Sequence, residues 1–348
     1  MAGQAGQPTW ASRAVVALAG LLAVVLLTAV GVAALRSSSV ADADTVLEEG
    51  VGVRLELADG TAREGVVGER VPRGATVRAG TAGAVLQTRE RRVFLGQATA
   101  LTVLDGARQS LDAGYVMVEA SDGPGLELTT TAAVVTAADG SLVRVVAGPL
   151  VRVGVLRGDA ARVRAAGRQA TTEVPRFYQA QVAPGGLPTE ATPLLLTGDA
   201  FEMRLARELY DADRDLNALA RRLDTVGEAG PAVLAVLSSV VPTAAPVPGA
   251  PGSERALGFL LAAASDPDQA GEAYTEVRGL RTAGGSWGVV AALVGTTPNE
   301  VSAVLGALLA PDAVPVLASG PVGPGSSSAA DLLPLLLDPT GPGAPTEA

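Results

Sequence analysis

The sequence predicts an α+β chain in three parts: an N-terminal transmembrane helix, a β-rich domain of solenoid- or sandwich-like build, and a small helical region. Three observations predict this. Residues 14–35 are uncharged and almost wholly apolar. Residues 46–182 alternate apolar and polar positions in short runs cut by glycine. Beyond residue 198 the apolar spacing lengthens to three and four, the period of a helix.

Residues 1–13 form a short tail ahead of the apolar run. At 1.5 Å rise per residue, the stretch from Ala14 to Leu35 makes a helix of about 33 Å, enough for the roughly 30 Å hydrocarbon core of a bilayer. Arg13 stands before it, whereas Arg36 is followed by Ser37, Ser38 and Ser39 and then by Asp42, Asp44, Glu48 and Glu49. That order predicts a single-pass protein of the cell membrane with a cytoplasmic N-terminus and the bulk of the chain extracytoplasmic. The competing reading is a cleaved signal peptide with Ala41-Asp42-Ala43 as a small-x-small site. The apolar run exceeds the usual h-region of about 7 to 15 residues, so an uncleaved anchor fits better. Arg13 is not part of an arginine pair and there is no cysteine to lipidate.

Composition removes whole classes of chemistry. The chain has no His, no Cys and no Lys, and all 26 basic residues are Arg. A Ser-His-Asp triad, a thiolate nucleophile, a zinc knuckle, a Walker A loop and a Schiff-base lysine are therefore excluded. No cofactor and no metal is expected, and no reaction is predicted. A net charge of −10 argues against nucleic acid as a partner, since phosphate binding needs a concentrated basic face.

Within residues 46–182, Val51, Val53, Leu55 and Leu57 alternate with other residues and end at Asp59-Gly60, a strand and turn signature. The pattern recurs at Leu101 and Val103 before Asp105-Gly106, at Val116 and Val118 before Asp122-Gly123, at Leu126 and Leu128 toward Asp139-Gly140, and at Leu142 and Val145 before Gly148. Turn signals every 8 to 12 residues fit a sandwich, barrel or β-solenoid. Leu142-Val143-Arg144-Val145, Leu150-Val151-Arg152-Val153 and Ala161-Arg162-Val163 read as a short repeat. It predicts Arg144, Arg152 and Arg162 pointing outward together, as stacked rungs or as ordinary strands with a solvated face.

A linker is predicted over residues 183–198, rich in Pro and Gly, and a helical region over 199–310. Phe201, Leu205, Leu209, Ala212, Leu216, Leu219 and Leu223 form one continuous helical stripe, with Asp199 and Glu202 resembling a capping box at its start. Further helices are predicted over Ala232 to Val241, Arg255 to Ala264 and Asp268 to Leu280. Thr297-Pro298-Asn299-Glu300 supplies an N-cap, an N1 proline and a reaching glutamate ahead of Val301 to Leu309. Pro242 to Gly252 reads as a linker, and the run from Trp287 to Val294 is too short to cross a bilayer. Residues 311–348 are rich in Pro, Gly, Ser and Ala and predict a disordered tail. Leu332-Leu333-Pro334-Leu335-Leu336-Leu337 within it reads either as a docking motif or as a loosely packed apolar patch.

The phrase from Val71-Pro72-Arg73-Gly74 to Val77-Arg78-Ala79-Gly80, followed by Ala84-Val85-Leu86 and by Ala98-Thr99-Ala100-Leu101-Thr102-Val103, resembles the extracytoplasmic FecR domain. Ala75 stands where that family has an aspartate, and Arg89-Glu90-Arg91-Arg92 where it has an Asp-Gly-Ser turn. The resemblance implies a β-rich module for protein contact and hands over no catalytic residue. FecR regulators carry a cytoplasmic anti-sigma domain before their span. Residues 1–13 are too short for one, so an anchored FecR-like protein lacking that domain is expected.

Other signals have plain explanations. Asp211, Asp213 and Asp215 open like a calcium loop, but Leu216 and Arg222 occupy the positions that need Gly and Glu, so a solvated acidic helix face is the better reading. No carboxylate pair is singled out among the 36 acids. Arg89, Arg91 and Arg92 with the Arg144 series would make a basic stripe, against the simpler reading of a solvated sheet face. The expected function is a sensing or scaffolding module of the cell envelope that binds an unidentified envelope protein. The alternatives are binding of an anionic wall polymer through Arg144, Arg152 and Arg162, and a secreted hydrolase.

Overall fold

The computed structural model describes residues 45–88, 91–120, 126–225 and 252–309. The predicted span at 14–35, the helix at 232–241 and the tail at 311–348 with its leucine cluster lie outside the described residues. So do Arg89 and Asp122-Gly123.

Among the described residues seventeen strands are joined in one hydrogen-bonded network, laid out as two sheets that share one long strand. They are β1 (Thr45–Gly50), β2 (Arg54–Glu56), β3 (Ala62–Glu64), β4 (Arg70–Val71), β5 (Thr76–Arg78), β6 (Ala84–Thr88), β7 (Arg91–Leu95), β8 (Ala100–Val103) and β9 (Arg108–Ala120). They continue with β10 (Glu127–Thr130), β11 (Ala133–Thr136), β12 (Leu142–Ala147), β13 (Val151–Arg157), β14 (Ala161–Ala165), β15 (Thr171–Val174), β16 (Tyr178–Val182) and β17 (Thr192–Pro193). Sheet A runs β4-β1-β6-β7-β9-β12-β13-β16-β17. Sheet B runs β3-β2-β5-β8-β9-β10-β11-β14-β15. All pairings are antiparallel except β9 with β10.

Strand β9 changes sheet partway along. Ala113 pairs with Ala100 in sheet B, and the next residue, Gly114, pairs with Ala147 in sheet A. Gly114 has φ +106°, and a Cβ there would lie 2.6 Å from the Thr99 backbone, so only glycine fits the corner. Thr99 Oγ1 clamps it, accepting from Tyr115 N at 3.0 Å and donating to Tyr115 O at 2.9 Å. The hairpins after the corner alternate between the sheets, β10-β11 and β14-β15 in B, β12-β13 and β16-β17 in A. This is a sandwich, with Leu47, Leu55, Val77, Leu101, Val116, Val145, Val153 and Val163 among the residues packed between its sheets.

Among the described residues six helices follow: α1 (Ala200–Leu205), α2 (Arg207–Thr225), α3 (Gly252–Ser265), α4 (Ala270–Thr282), α5 (Trp287–Leu293) and α6 (Pro298–Leu309). They cover the middle of the outer face of sheet A, giving three layers there. Val85, Phe94, Met117, Leu142, Leu156, Phe177, Leu194, Leu209 and Val289 form the core between sheet A and the helices. The strand of sheet A at Leu142–Ala147, under the helices, is accordingly buried on both faces, whereas Ala161–Ala165 of sheet B alternates strictly between buried and exposed.

The predicted single helix over 201–223 is broken at Ala206, where ψ moves to 35°. Its stripe serves two cores. Phe201, Leu205 and Leu209 pack on sheet A, while Leu216, Leu219 and Leu223 join Leu257, Leu261, Val277, Trp287 and Leu305 inside the helical layer. Pro193 and Leu194, in the predicted linker, are buried, and β17 extends sheet A to residue 193. The capping box at α6 forms as predicted: Glu300 Oε2 accepts from Thr297 N at 2.8 Å, and Thr297 Oγ1 accepts from Glu300 N at 3.3 Å. Among the described residues no single helix is long and apolar enough to cross a membrane. Trp287–Leu293 and Pro298–Ala307 reach the required apolarity only together, and they are bent by 87°.

Candidate functional site

The outer face of sheet A carries one transverse row running Val85, Phe94, Met117, Arg144, Gly154, Gln179 and Thr192 across seven strands. Arg144 sits in its middle and is only 1% exposed. A buried guanidinium must be paired, and this one donates to Glu202 Oε2 and to the Leu195 carbonyl, both at 2.8 Å, and to Gln179 Oε1 at 3.1 Å. Gly154 opposite leaves the room. A Cβ there would overlap the Leu194 side chain and approach Arg144 to 3.3 Å.

Glu202 is fully buried in the first turn of α1. Its Oε2 also accepts from Thr197 Oγ1 at 2.6 Å and from the Tyr115 hydroxyl at 3.1 Å. Its Oε1 accepts from the Tyr210 hydroxyl at 3.0 Å and Thr197 N at 3.3 Å. Burial, and after it the Glu202 charge, pushes the Tyr210 phenol up to about 12 and the Tyr115 phenol well above its ordinary range. Asp199 caps α1 as predicted, accepting from Phe201 N at 2.8 Å, but Glu202 does not reach back to complete the box. It turns into the sheet instead, because Arg144 is there to meet it.

This corrects the expected basic row. Arg144 lies under the helices. Arg152 is exposed on the same face of sheet A, and Arg162 is exposed on the outer face of sheet B, across the sandwich from both. Arg162 lies 3.6 Å from Glu173 in a solvated pair. The wider stripe fails as well, since Arg91 is buried and donates to the Gly106 carbonyl at 2.8 Å, and Arg92 pairs with Glu48. The period-two pattern is alike in both sheets, but the outer face of sheet B meets water whereas the middle of the outer face of sheet A meets helices.

Where the α1–α2 corner and the α5–α6 corner meet sheet A, they leave a cleft of about 710 Å³. Leu142, Leu156, Phe177, Leu205, Leu209 and Ala291 give it an apolar floor, and Arg157, Arg176, Arg204 and Arg207 stand at its edge with Glu208. Its size suits a compact ligand or a few side chains of a peptide. Phe177 is held at φ +64°, a conformation a bulky residue rarely adopts. Its N donates to the Val155 carbonyl at 2.7 Å and its carbonyl accepts from Leu194 N at 2.8 Å, so the strain is imposed by the sheet. Strain of this kind gathers at binding and catalytic sites.

The arginines are unequally engaged. Arg157 pairs with Glu119 at 2.6 Å. Arg207 is 3.3 Å from Asp211, and Arg204 is 3.6 Å from Glu49 while lying over the rings of Phe94 and Phe201. Arg176 stacks on Phe177 at 4.3 Å and has no carboxylate partner among the described residues. Asp213, read as part of a solvated acidic face, points inward: its Oδ1 accepts from Gly288 N at 3.0 Å and ties α2 to the start of α5. Among the described residues no group of three acids could hold a metal ion.

No protein-family model matches the chain, and no curated protein matches it. Two crystal structures of a "putative anti-sigma factor" from Parabacteroides distasonis ATCC 8503 are similar over part of it. One is 14% identical over 34% of this chain with a TM-score of 0.30, and the other is 15% identical over 43% with a TM-score of 0.26. In each case the similarity spans 59% of the solved chain.

Proposed function

We propose that this chain is a membrane-anchored extracytoplasmic binding module of the cell envelope, without catalytic chemistry of its own, whose working surface is the cleft between sheet A and the helices. One observation supports the reading above others: an apolar floor with the strained Phe177 at its base, edged by arginines of which Arg176 has no carboxylate partner among the described residues. Such a surface suits a protein segment with apolar side chains flanked by carboxylates. The anchor rests on the apolar run at 14–35 and its flanking charges.

Two measurements on intact cells test it. External protease should remove most of the polypeptide; survival of the bulk until lysis would overturn the topology. A photo-reactive residue at position 292, half-buried in the cleft, should give a defined protein adduct, whereas one at position 162 on the outer face of sheet B should not. Equal labelling from both positions, or none from 292, would overturn the assignment of the cleft.

A further inference from the structure

The cleft pairs an apolar floor with an arginine edge, and the same chain carries the complementary pattern. Asp331-Leu332-Leu333-Pro334-Leu335-Leu336-Leu337-Asp338 places five leucines between two aspartates. We propose that this segment occupies the cleft in the resting protein, its leucines on the Leu156, Phe177 and Leu209 floor and its aspartates at the arginine edge, so that an outside partner binds by displacing it. The proposal rests on the cleft being a binding surface.

Charge complementarity supports the match. Arg176 has no carboxylate partner among the described residues, and Arg204 and Arg207 hold their present partners at 3.6 and 3.3 Å in exposed positions. Exchanging such loose surface pairs for new ones costs little. The leucines gain by leaving water. Connectivity supports it too. Helix α6 begins at the cleft wall with Pro298 and is 12 residues long, so it carries the chain about 18 Å away. Residues 310–330, rich in Gly, Ser and Pro, separate its end from Asp331. Twenty-one residues of such composition have an end-to-end reach of roughly 25 Å as a coil, enough to return. Tethering of this kind presents a segment at an effective concentration on the order of millimolar, so even weak contacts keep it seated.

The test uses the full-length chain in detergent micelles with a photo-reactive benzoylphenylalanine at position 335. Irradiation should give an adduct within one chain, mapped by mass spectrometry to peptides containing Phe177, Leu205 to Leu209 or Gly288 to Ala292. Arg176→Glu, at an exposed turn position, should reduce that adduct about fivefold, as expected when one exposed charge contact turns from attraction to repulsion. Of Asp331→Arg and Asp338→Arg, each made singly in the Arg176→Glu background, the one that faces position 176 should restore it. Absence of an intrachain adduct, adducts only between chains, or indifference to Arg176→Glu would overturn self-occupancy. If position 292 captures an outside protein while position 335 gives no intrachain adduct, the segment proposal falls and the reading of the cleft stands. If neither position labels the other's region or any partner, both fall.

Discussion

Arg144→Met isolates the ion pair that joins the helical layer to the sandwich. The substitution removes three hydrogen bonds, to Glu202, the Leu195 carbonyl and Gln179. It leaves the fully buried Glu202 carboxylate to Thr197, Tyr115 and Tyr210. Breaking a buried pair from one side costs about 3–5 kcal/mol, since the remaining charge stays out of water uncompensated. That is a large part of the 5–15 kcal/mol typical of a folded domain. Glu202→Leu should cost a similar amount by stranding the guanidinium. The double variant removes both charges, and its loss should fall well short of the sum, because apolar residues of similar volume replace a buried pair at little or no net cost. What remains in the double variant is chiefly the orphaned Tyr115 hydroxyl, costing about 1–3 kcal/mol, since Thr197 is exposed and Tyr210 half-buried, where water can take their hydroxyls. Urea unfolding followed by fluorescence of Trp287, buried in the helical layer, reads the effect in a Trp10→Phe background. A loss below about 1 kcal/mol for Arg144→Met, or strict additivity in the double variant, would refute the claim that a buried charge pair holds the two layers together.

Other expectations are simpler. Gly154→Ala drives a methyl group into Leu194 and toward Arg144, and should lower stability by about 1–3 kcal/mol in the same unfolding assay. Tyr210 ionises near 12 in the folded protein, above the ordinary 10.0 it regains on unfolding. Below pH 10 its contribution to stability is complete; between about pH 10 and 12 the unfolded chain releases the proton and the folded one keeps it, so stability falls as pH rises. Phenolate absorbance should show delayed ionisation, and Tyr210→Phe should flatten the alkaline loss. Thr297→Ala removes the N-cap of α6 and should cost about 1 kcal/mol, seen as faster amide exchange at Glu300 and Val301.

Local signals in the sequence carried through wherever the deciding interaction was local. The Asp59-Gly60 and Asp105-Gly106 turns close hairpins, Asp199 caps α1, and Thr297 with Glu300 caps α6, all by hydrogen bonds between residues two or three positions apart. The change from period two to period 3.6 near residue 199 located the passage from strands to helices. It could not show that β17 and Leu194 finish sheet A inside a Pro- and Gly-rich stretch, because their burial depends on strands far away in the chain.

Arg144 shows where local reading stops. On its own face of the strand it is flanked by Leu142 and Val146, whereas Arg162 is flanked by Ala160 and Arg164. That contrast marks Arg144 as an arginine on an apolar face in need of a partner, yet it names none. Glu202 lies 58 positions on in a helix whose capping pattern accounted for it in another way. The sequence by itself determined the turns, the caps, the strand and helix periods and the absence of imidazole, thiol and amine chemistry, since each depends on residue type or on neighbours a few positions apart. Only the tertiary structure decided which sheet face meets water, which carboxylate neutralises Arg144, and that Leu142, Phe177, Leu205 and Ala291 from four separate segments share one cleft, because burial and charge pairing are settled by contacts between segments distant along the chain.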